Sequence, residues 1–407
     1  MSGLWSNSSS RTMVPMRNNA VAEPVLTLTY GAVDAYPAVM RALSRRILFD
    51  LDPAFLAQYE DVNEKARTAL RLSNQPVILQ GAPTLGVEAA AASLIAAEDT
   101  VLNLVNGVYS KGFSRWARRY CKNLVEVEIS YDEAFDLNRV ESALKDNPGA
   151  RIVSLCHHET PSGTINPLAE IGKLVAARDG YVIVDAVSSF GGMDIHPEES
   201  HSDIFVAAGQ KCLGAAPGLA LMAVSERAWK KMKANPDAPR GSYLSLLDWE
   251  NAWSRETRFP SNISVPLIYA LDAALDLYLA EGPQAVWARH ALTGKVCRAG
   301  IRAMGLDLWP VSESIAAPMT TAVRIPQGVV ADELYRHLRH HHRIMLSSGA
   351  GDTLGKVVHI SHMGPSAQPL LAVAAIAALG SSLDACGRPV DLGQGVAAAM
   401  KIAEAAR

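Results

Sequence analysis

The chain of 407 residues is 49% hydrophobic and carries a formal net charge of −3, from 38 basic and 41 acidic residues. That balance excludes a general phosphate-backbone binder, so no nucleic-acid partner is expected, and the length allows one large and one smaller domain. Five cysteines (Cys121, Cys156, Cys212, Cys297 and Cys386) form no CxxC pair, which fits a reducing, cytoplasmic setting without disulfide framework or zinc site. No apolar run reaches the roughly 20 residues that span a bilayer, so no membrane partner is expected either.

Residues 1–24 are polar and weakly basic and read as a flexible tail. From about residue 75, short apolar runs alternate with helical patterns. "PVILQG" reads as a strand and "LGVEAAAASLIAAED" as a helix with Thr84 placed to cap it. "VLNLVNG" is a strand, followed by a helix from "GFSRWARRY". "RIVSLCHHE" is a strand and "PLAEIGKLVAARDG" a helix ended by Gly180. "YVIVDAVSS", "DIFVAAGQ" and "LALMAVS" are further strands, after which Ser225 caps "ERAWKKMKANP". The alternation predicts an α/β fold with a mostly parallel sheet covered on both faces. After Pro260, two long amphipathic helices precede β-like runs ("TTAVRIP", "RIMLSSG", "KVVHISH") and an Ala-rich helix. The predicted organisation is a large domain over 25–279, with an N-terminal arm, and a smaller α+β domain over 280–407.

Ligands of parallel α/β sheets gather at the carboxyl ends of strands. Asp185, Thr160 and Lys211 each follow a predicted strand. Lys211 lies in "GQKCLGAAPG" between an apolar run and a glycine-rich turn. It is either a solvated loop lysine or an imine-forming amine whose pKa is lowered by desolvation. Asp185 closes "VIVD"; it is a structural ion partner or a carboxylate that keeps a pyridinium nitrogen protonated. Tyr109 is a core tyrosine or an aromatic plate for a heteroaromatic ring. Thr160 caps a turn or reaches a phenolic oxygen on that ring. His337, His340, His341 and His342 lack an acidic or thiol neighbour at ligand spacing, so no metal site is expected.

The aromatic, the strand-end aspartate in "VDAVSSFGGM" and the lysine in "KCLGAAPG", in this order, resemble fold-type I vitamin B6 enzymes of the class V, or alanine–glyoxylate, branch. "SLCHHETPSGTINP", "DWENAWSR", "LDLYLAEGP", "AVWARHALT" and "HMGPSAQP" are similar to the pyridoxamine–pyruvate group within it, over about residues 25–395. The resemblance implies a seven-stranded-type sheet in the large domain and a homodimer or homotetramer. It implies Lys211 as Schiff-base lysine and proton carrier, Asp185 on the pyridine nitrogen, Tyr109 stacked on the ring and Thr160 on the ring hydroxyl. Ala82, Pro83, Thr84, Gln210 and Asn262 fall at cofactor-binding positions, and His359, Ala350 and Phe49 at substrate positions.

Four of these positions depart from the group. In "GAPTLGVEAA", Pro83 removes a donor from the phosphate cup, as in the pyridoxamine–pyruvate group, but Ala82 replaces a phosphate-repelling glutamate. "KVVHISHMG" has His359 and "SSGAGDTLGK" has Ala350 where that group has carboxylate-binding arginines, and Phe49 replaces a tyrosine. The expected reaction is amino transfer between a small amine and a keto acid or aldehyde, most like pyridoxamine and pyruvate giving pyridoxal and alanine. The B6 group is then pyridoxal 5'-phosphate as cofactor or unphosphorylated pyridoxal and pyridoxamine as substrates. A phosphate-dependent aminotransferase for an amine lacking a normal α-carboxylate contact is the alternative, followed by a B6 lyase and a non-catalytic ring-binding relative.

Overall fold

The short apolar runs assemble into two sheets, each with its own hydrophobic core. The computed structural model describes residues 23–31, 33–254 and 259–405; all but the last two residues of the expected tail lie outside them. In chain order the elements are β1 (Leu26–Leu28), α1 (Pro37–Leu43), α2 (Pro53–Leu70), β2 (Val77–Gln80), α3 (Pro83–Leu94), β3 (Thr100–Val105), α4 (Val108–Tyr120) and β4 (Asn123–Glu128). Next come α5 (Leu137–Asp146), β5 (Ala150–Cys156), β6 (His158–Glu159), β7 (Thr164–Ile165), α6 (Leu168–Ala176), β8 (Tyr181–Asp185), β9 (Ile204–Ala208), β10 (Leu219–Val224) and α7 (Glu226–Ala234). The last part holds α8 (Val265–Glu281), α9 (Pro283–Ala303), β11 (Thr320–Arg324), α10 (Ala331–His341), β12 (Ile344–Ser348), β13 (Val357–Ser361), α11 (Pro369–Ala385) and α12 (Leu392–Ala405).

The larger sheet has seven strands in the order β2-β10-β9-β8-β5-β3-β4. All neighbours are parallel except β10, which runs antiparallel to β2 and β9. Its central strands are buried along their whole length, which is why they read as continuous aliphatic runs rather than alternating ones. Cys156 pairs with Asp185, and Asp185 with Val206, so β5, β8 and β9 finish at one edge. This edge is where the chemistry-bearing residues collect.

The smaller sheet has four strands in the order β1-β12-β13-β11. β1 pairs in parallel with β12, Leu26 opposite Ile344, so the first described strand belongs to the sheet built from the end of the chain. A three-residue strand is too short to announce that pairing locally. Helices α9, α11 and α12 pack together against this second core.

Three local expectations change. Helix α3 starts at Pro83 with Ala82 as N-cap, so Thr84 lies inside the first turn and does not cap. Proline is pre-set for the first helical position and moves the start forward. Helix α6 ends at Ala176, and Gly180 closes the turn after it by donating to the Val175 carbonyl at 3.1 Å. Helix α12, not anticipated, covers α9 with its alanine-rich stripe. Ser225 caps α7 as expected, accepting from the Ala228 N–H at 3.1 Å.

Candidate active site

A cavity of about 410 Å³ opens at the carboxyl edge of the larger sheet. Its walls bring together Lys211, Asp185, Tyr109, Thr160, Ala82, Pro83, Thr84 and Gln210. Another cleft, of about 430 Å³, lies around Asn74, Glu198 and His201. Its arginine, Arg227, is already neutralised by Asp203 at 2.6 Å, and it contains no lysine.

Lys211 sits in the tight turn after β9 and is only 7% exposed. Gly214 (φ +64°) makes the turn, where a Cβ would meet the Tyr36 ring at 2.7 Å. The lysine amine donates to the backbone carbonyls of Tyr30 and Gly31, the latter at 2.8 Å. Burial lowers its pKa to about 8, opposed in part by Cys212 and Asp185. Close to neutrality a useful fraction is therefore the free amine.

Asp185 ends β8. Its Oδ1 accepts the Val187 N–H at 3.0 Å. The residue borders the open cavity, yet its carboxyl is enclosed enough for burial to raise the pKa to about 6, against the pull of that N–H and of Lys211. A cationic ring N–H would reverse this shift by pairing with the carboxylate. Thr160 Oγ1 lies 2.6 Å from Ser188 Oγ, and both residues line the cavity. Tyr109 is in the first turn of α4, its phenol pushed up by burial and by the charges of Tyr30, Asp185 and Glu159.

Alanine at 82 leaves the N-terminus of α3 with no side-chain cap and no acid in its first turn. The Gln210 side chain is 92% buried and its Oε1 has no hydrogen-bond partner. Arg115, on the cavity-facing side of α4, is the other cation in the wall. Its helix neighbours Lys111, Arg118 and Arg119 are paired with glutamates, whereas Arg115 has no acidic partner among the described residues.

The remaining expected residues are not in this wall. His359 is fully buried on β13, with both ring nitrogens unpartnered and its ring edge-on to Tyr30 at 4.9 Å. Burial, and the charges of His158, His362 and Lys211, hold it neutral. Ala350 begins a loop whose Gly351 approaches Val108, a cavity residue. Asn262 is exposed and outside the cavity wall. Phe49 is 68% exposed in the connection between α1 and α2, so within one chain it does not reach the cavity.

Sequence reasoning missed Glu159. It is fully buried on β6, next to Thr160. Its carboxylate accepts the N–H groups of Tyr109 (3.1 Å) and Ser110 (2.6 Å) and the Ser110 hydroxyl (2.6 Å). Gly107, placed just before a helix that has no local side-chain cap, was the available signal.

The cavity fits a pyridine ring. It offers an enclosed carboxylate, an aromatic side chain, a hydroxyl pair and a partly neutral amine, and the uncapped start of α3 lies in the same wall. This is the equipment of an enzyme working through pyridoxal or pyridoxamine, phosphorylated or not.

Comparison with known proteins agrees. The chain is 58% identical over 390 residues to pyridoxamine–pyruvate transaminase of Mesorhizobium japonicum, covering 96% of this chain and 99% of that protein. It is 28% identical to (S)-ureidoglycine–glyoxylate transaminase of Bacillus subtilis, covering 93% and 95%. The crystal structure of pyridoxamine–pyruvate aminotransferase from Mesorhizobium loti superposes with a TM-score of 0.94 at 57% identity, covering 96% of this chain and all of that one. The sequence profile of Aminotransferase class-V matches residues 29–364, and the chain belongs to the class-V aminotransferase family.

Proposed function

We propose that this chain moves the amino group of pyridoxamine onto pyruvate, giving pyridoxal and alanine, in the cavity at the carboxyl edge of the larger sheet. The observation that carries the reading is the buried, partly neutral Lys211 amine sharing one wall with the Asp185 carboxylate. The 58% identity to the Mesorhizobium japonicum enzyme supports this choice of substrates.

The ring, when bound, supplies an electron sink for the pair released as a carbon beside the migrating nitrogen loses its proton. Asp185 holds the proton on the ring nitrogen. Tyr109 supports one ring face, and the Thr160 hydroxyl, oriented by Ser188, meets the ring oxygen. The free amine of Lys211 takes the proton from one carbon and returns it to the other. Lys211 turns over only after it leaves the Tyr30 and Gly31 carbonyls.

A second reading has the family's phosphorylated ring as resident cofactor and another amine as substrate. Alanine at 82, the uncapped α3 and the unpaired Arg115 favour it. The test is a competition. The ring-free protein is offered equal pyridoxal and pyridoxal phosphate, reduced with borohydride, and the Lys211 peptide is weighed. An adduct without phosphate supports pyridoxamine–pyruvate transfer, a phosphorylated adduct supports the second reading, and no adduct on Lys211 sinks both.

The working unit we propose is a homodimer. Met40 on α1 and Ile47, Phe49 and Leu51 in the connection to α2 form an exposed apolar stretch, from 43% to 68% exposed. A stretch of this kind is a candidate for burial against a second copy. Among the described residues no helix is long and apolar enough to cross a membrane.

A further inference from the structure

We propose that Glu159 is a positioning residue: its carboxylate fixes the first turn of α4, and so fixes where the Tyr109 ring stands relative to the Asp185 and Thr160 wall. The proposal rests on the reading of this cavity as a ring-binding site.

A helix leaves its first N–H groups without partners, and most helices satisfy them with a local Ser, Thr, Asp or Asn. Helix α4 has glycine at that position and no acid in its first turn. The acceptor comes instead from β6, 49 and 50 residues further along the chain. Glu159 takes the N–H of Tyr109 itself, and grips Ser110 twice, through N–H and hydroxyl. Backbone N–H groups thus connect the carboxylate to the residue that faces the ring.

The approach is only open because residue 107 is glycine. A Cβ there would lie 2.2 Å from the Glu159 carboxyl carbon. Gly107 has φ −179°, an extended conformation that any residue adopts, so the glycine serves the space and not the backbone angle. No cation pairs with Glu159 among the described residues; burial raises its pKa to about 7, and the Ser110 and Tyr109 hydrogen bonds pull against that rise. Burying a carboxylate this way is costly compared with a local serine or aspartate cap. What the distant carboxylate adds is a cross-link. Glu159 precedes Thr160, which contacts Ser188. One short segment therefore carries one wall of the cavity and holds the other.

Binding of pyridoxine tests this, because it carries the ring but no aldehyde and does not react with Lys211. Affinity is measured by calorimetry on the full-length wild type, Glu159→Gln, Tyr109→Ala and the double variant. The glutamine keeps the size but must turn its N–H₂ toward one donor site, the Tyr109 N–H on Oε2 or the Ser110 pair on Oε1. We expect Tyr109→Ala and Glu159→Gln each to weaken binding about tenfold, and the double variant to match Tyr109→Ala within about twofold, because Glu159 acts through Tyr109. Multiplying effects would assign Glu159 a merely structural part and overturn the proposal, as would unchanged affinity in Glu159→Gln. If Glu159→Gln does not fold, Ser110→Ala removes the hydroxyl bond to Glu159 while both N–H bonds to the carboxylate stay, and it also gives up the hydroxyl's contacts to the Asn106 N–H and the Gly107 carbonyl; a two- to threefold loss that vanishes in the Tyr109→Ala background supports the proposal, and a loss that persists there refutes it. A wild type that binds no pyridoxine, or loses nothing with Tyr109→Ala, instead fails the ring-site reading.

Discussion

Gly107→Ala perturbs the α4 anchor without touching either partner. The added methyl would sit 2.2 Å from the Glu159 carboxyl carbon and 2.3 Å from Oε2, so the carboxylate must leave. It gives up contacts to the Tyr109 N–H, the Ser110 N–H and the Ser110 hydroxyl. Hydrogen bonds to a charged group contribute about 1.5–3 kcal/mol each, and the displaced carboxylate, free to protonate, recovers part of that. The alanine also stiffens the unfolded chain, an offset of about 0.4–1 kcal/mol. The expected net destabilisation is about 2–4 kcal/mol, read from the urea midpoint at unchanged slope. Gly112→Ala is the control on the same helix. A Cβ at 112 comes no nearer than 3.8 Å to the Arg115 guanidinium, so that variant should gain about 0.5–1 kcal/mol. A Gly107→Ala protein as stable as wild type would show that the carboxylate is not held as described.

Lys211→Ala should abolish the borohydride-trapped ring adduct and slow turnover by about 10²–10⁴-fold, the usual range for a lost proton carrier; wild-type turnover in this variant would remove Lys211 from the reaction. The rate at which the ring-free protein forms that adduct should rise with pH through about 8, since only the neutral amine attacks and burial sets its pKa there; stopped-flow absorbance giving a midpoint near the ordinary lysine value of about 10.4 would contradict the burial effect. Acid should destabilise the fold. Burial holds His157 and His290 near 4 and His158 and His362 near 3, so the unfolded chain takes these protons first and stability present above about pH 6.5 is lost as pH falls. His359, held lower still, makes a fifth; Glu159 and Asp185, raised to about 7 and about 6, bind protons first in the folded state and oppose roughly two of the five. The remaining three protons amount to about 4 kcal/mol per pH unit near pH 5; urea midpoints that stay flat between pH 7 and 5 would refute this sign.

The strand–helix alternation was legible because the central strands of the larger sheet are buried along their whole length and read as continuous aliphatic runs, whereas the half-buried edge strand β4 gave no such run. The convergence of Lys211, Asp185 and Thr160 followed from one rule, that parallel strands finish at a common edge; Tyr109 joined them by resemblance. Other features depended on contacts between distant residues. Glu159 sits in "HHETP", where nothing local marks its carboxylate as the acceptor for a helix some fifty residues earlier. Leu26–Leu28 has too few residues to show that it pairs with Ile344–Leu346. The start of α3 was misjudged for a local reason: a threonine beside a helix looks like a cap, and the proline before it takes precedence. Phe49 and Asn262 were placed by resemblance alone, and neither lies in the cavity wall of a single chain.

The amine at the centre of the site is shared between the two cores. Lys211 is carried by the turn after β9, in the larger sheet, but its acceptors are the carbonyls of Tyr30 and Gly31. Those residues continue directly from β1 and are anchored on the smaller sheet, where the Tyr30 N–H donates to Ser347 Oγ at 3.0 Å and the Tyr30 ring packs on His359. The same arm is stitched to the lysine turn, Val33 N–H to the Gln210 carbonyl and Tyr36 N–H to the Gly214 carbonyl. Two opposing effects meet at one nitrogen. Burial in the larger sheet favours the neutral amine, whereas two carbonyls supplied by the arm favour the ammonium. Any movement of the smaller sheet that withdraws the arm removes those acceptors and releases the amine to move. The arm therefore ties the reactivity of Lys211 to the packing of a sheet that does not contain it.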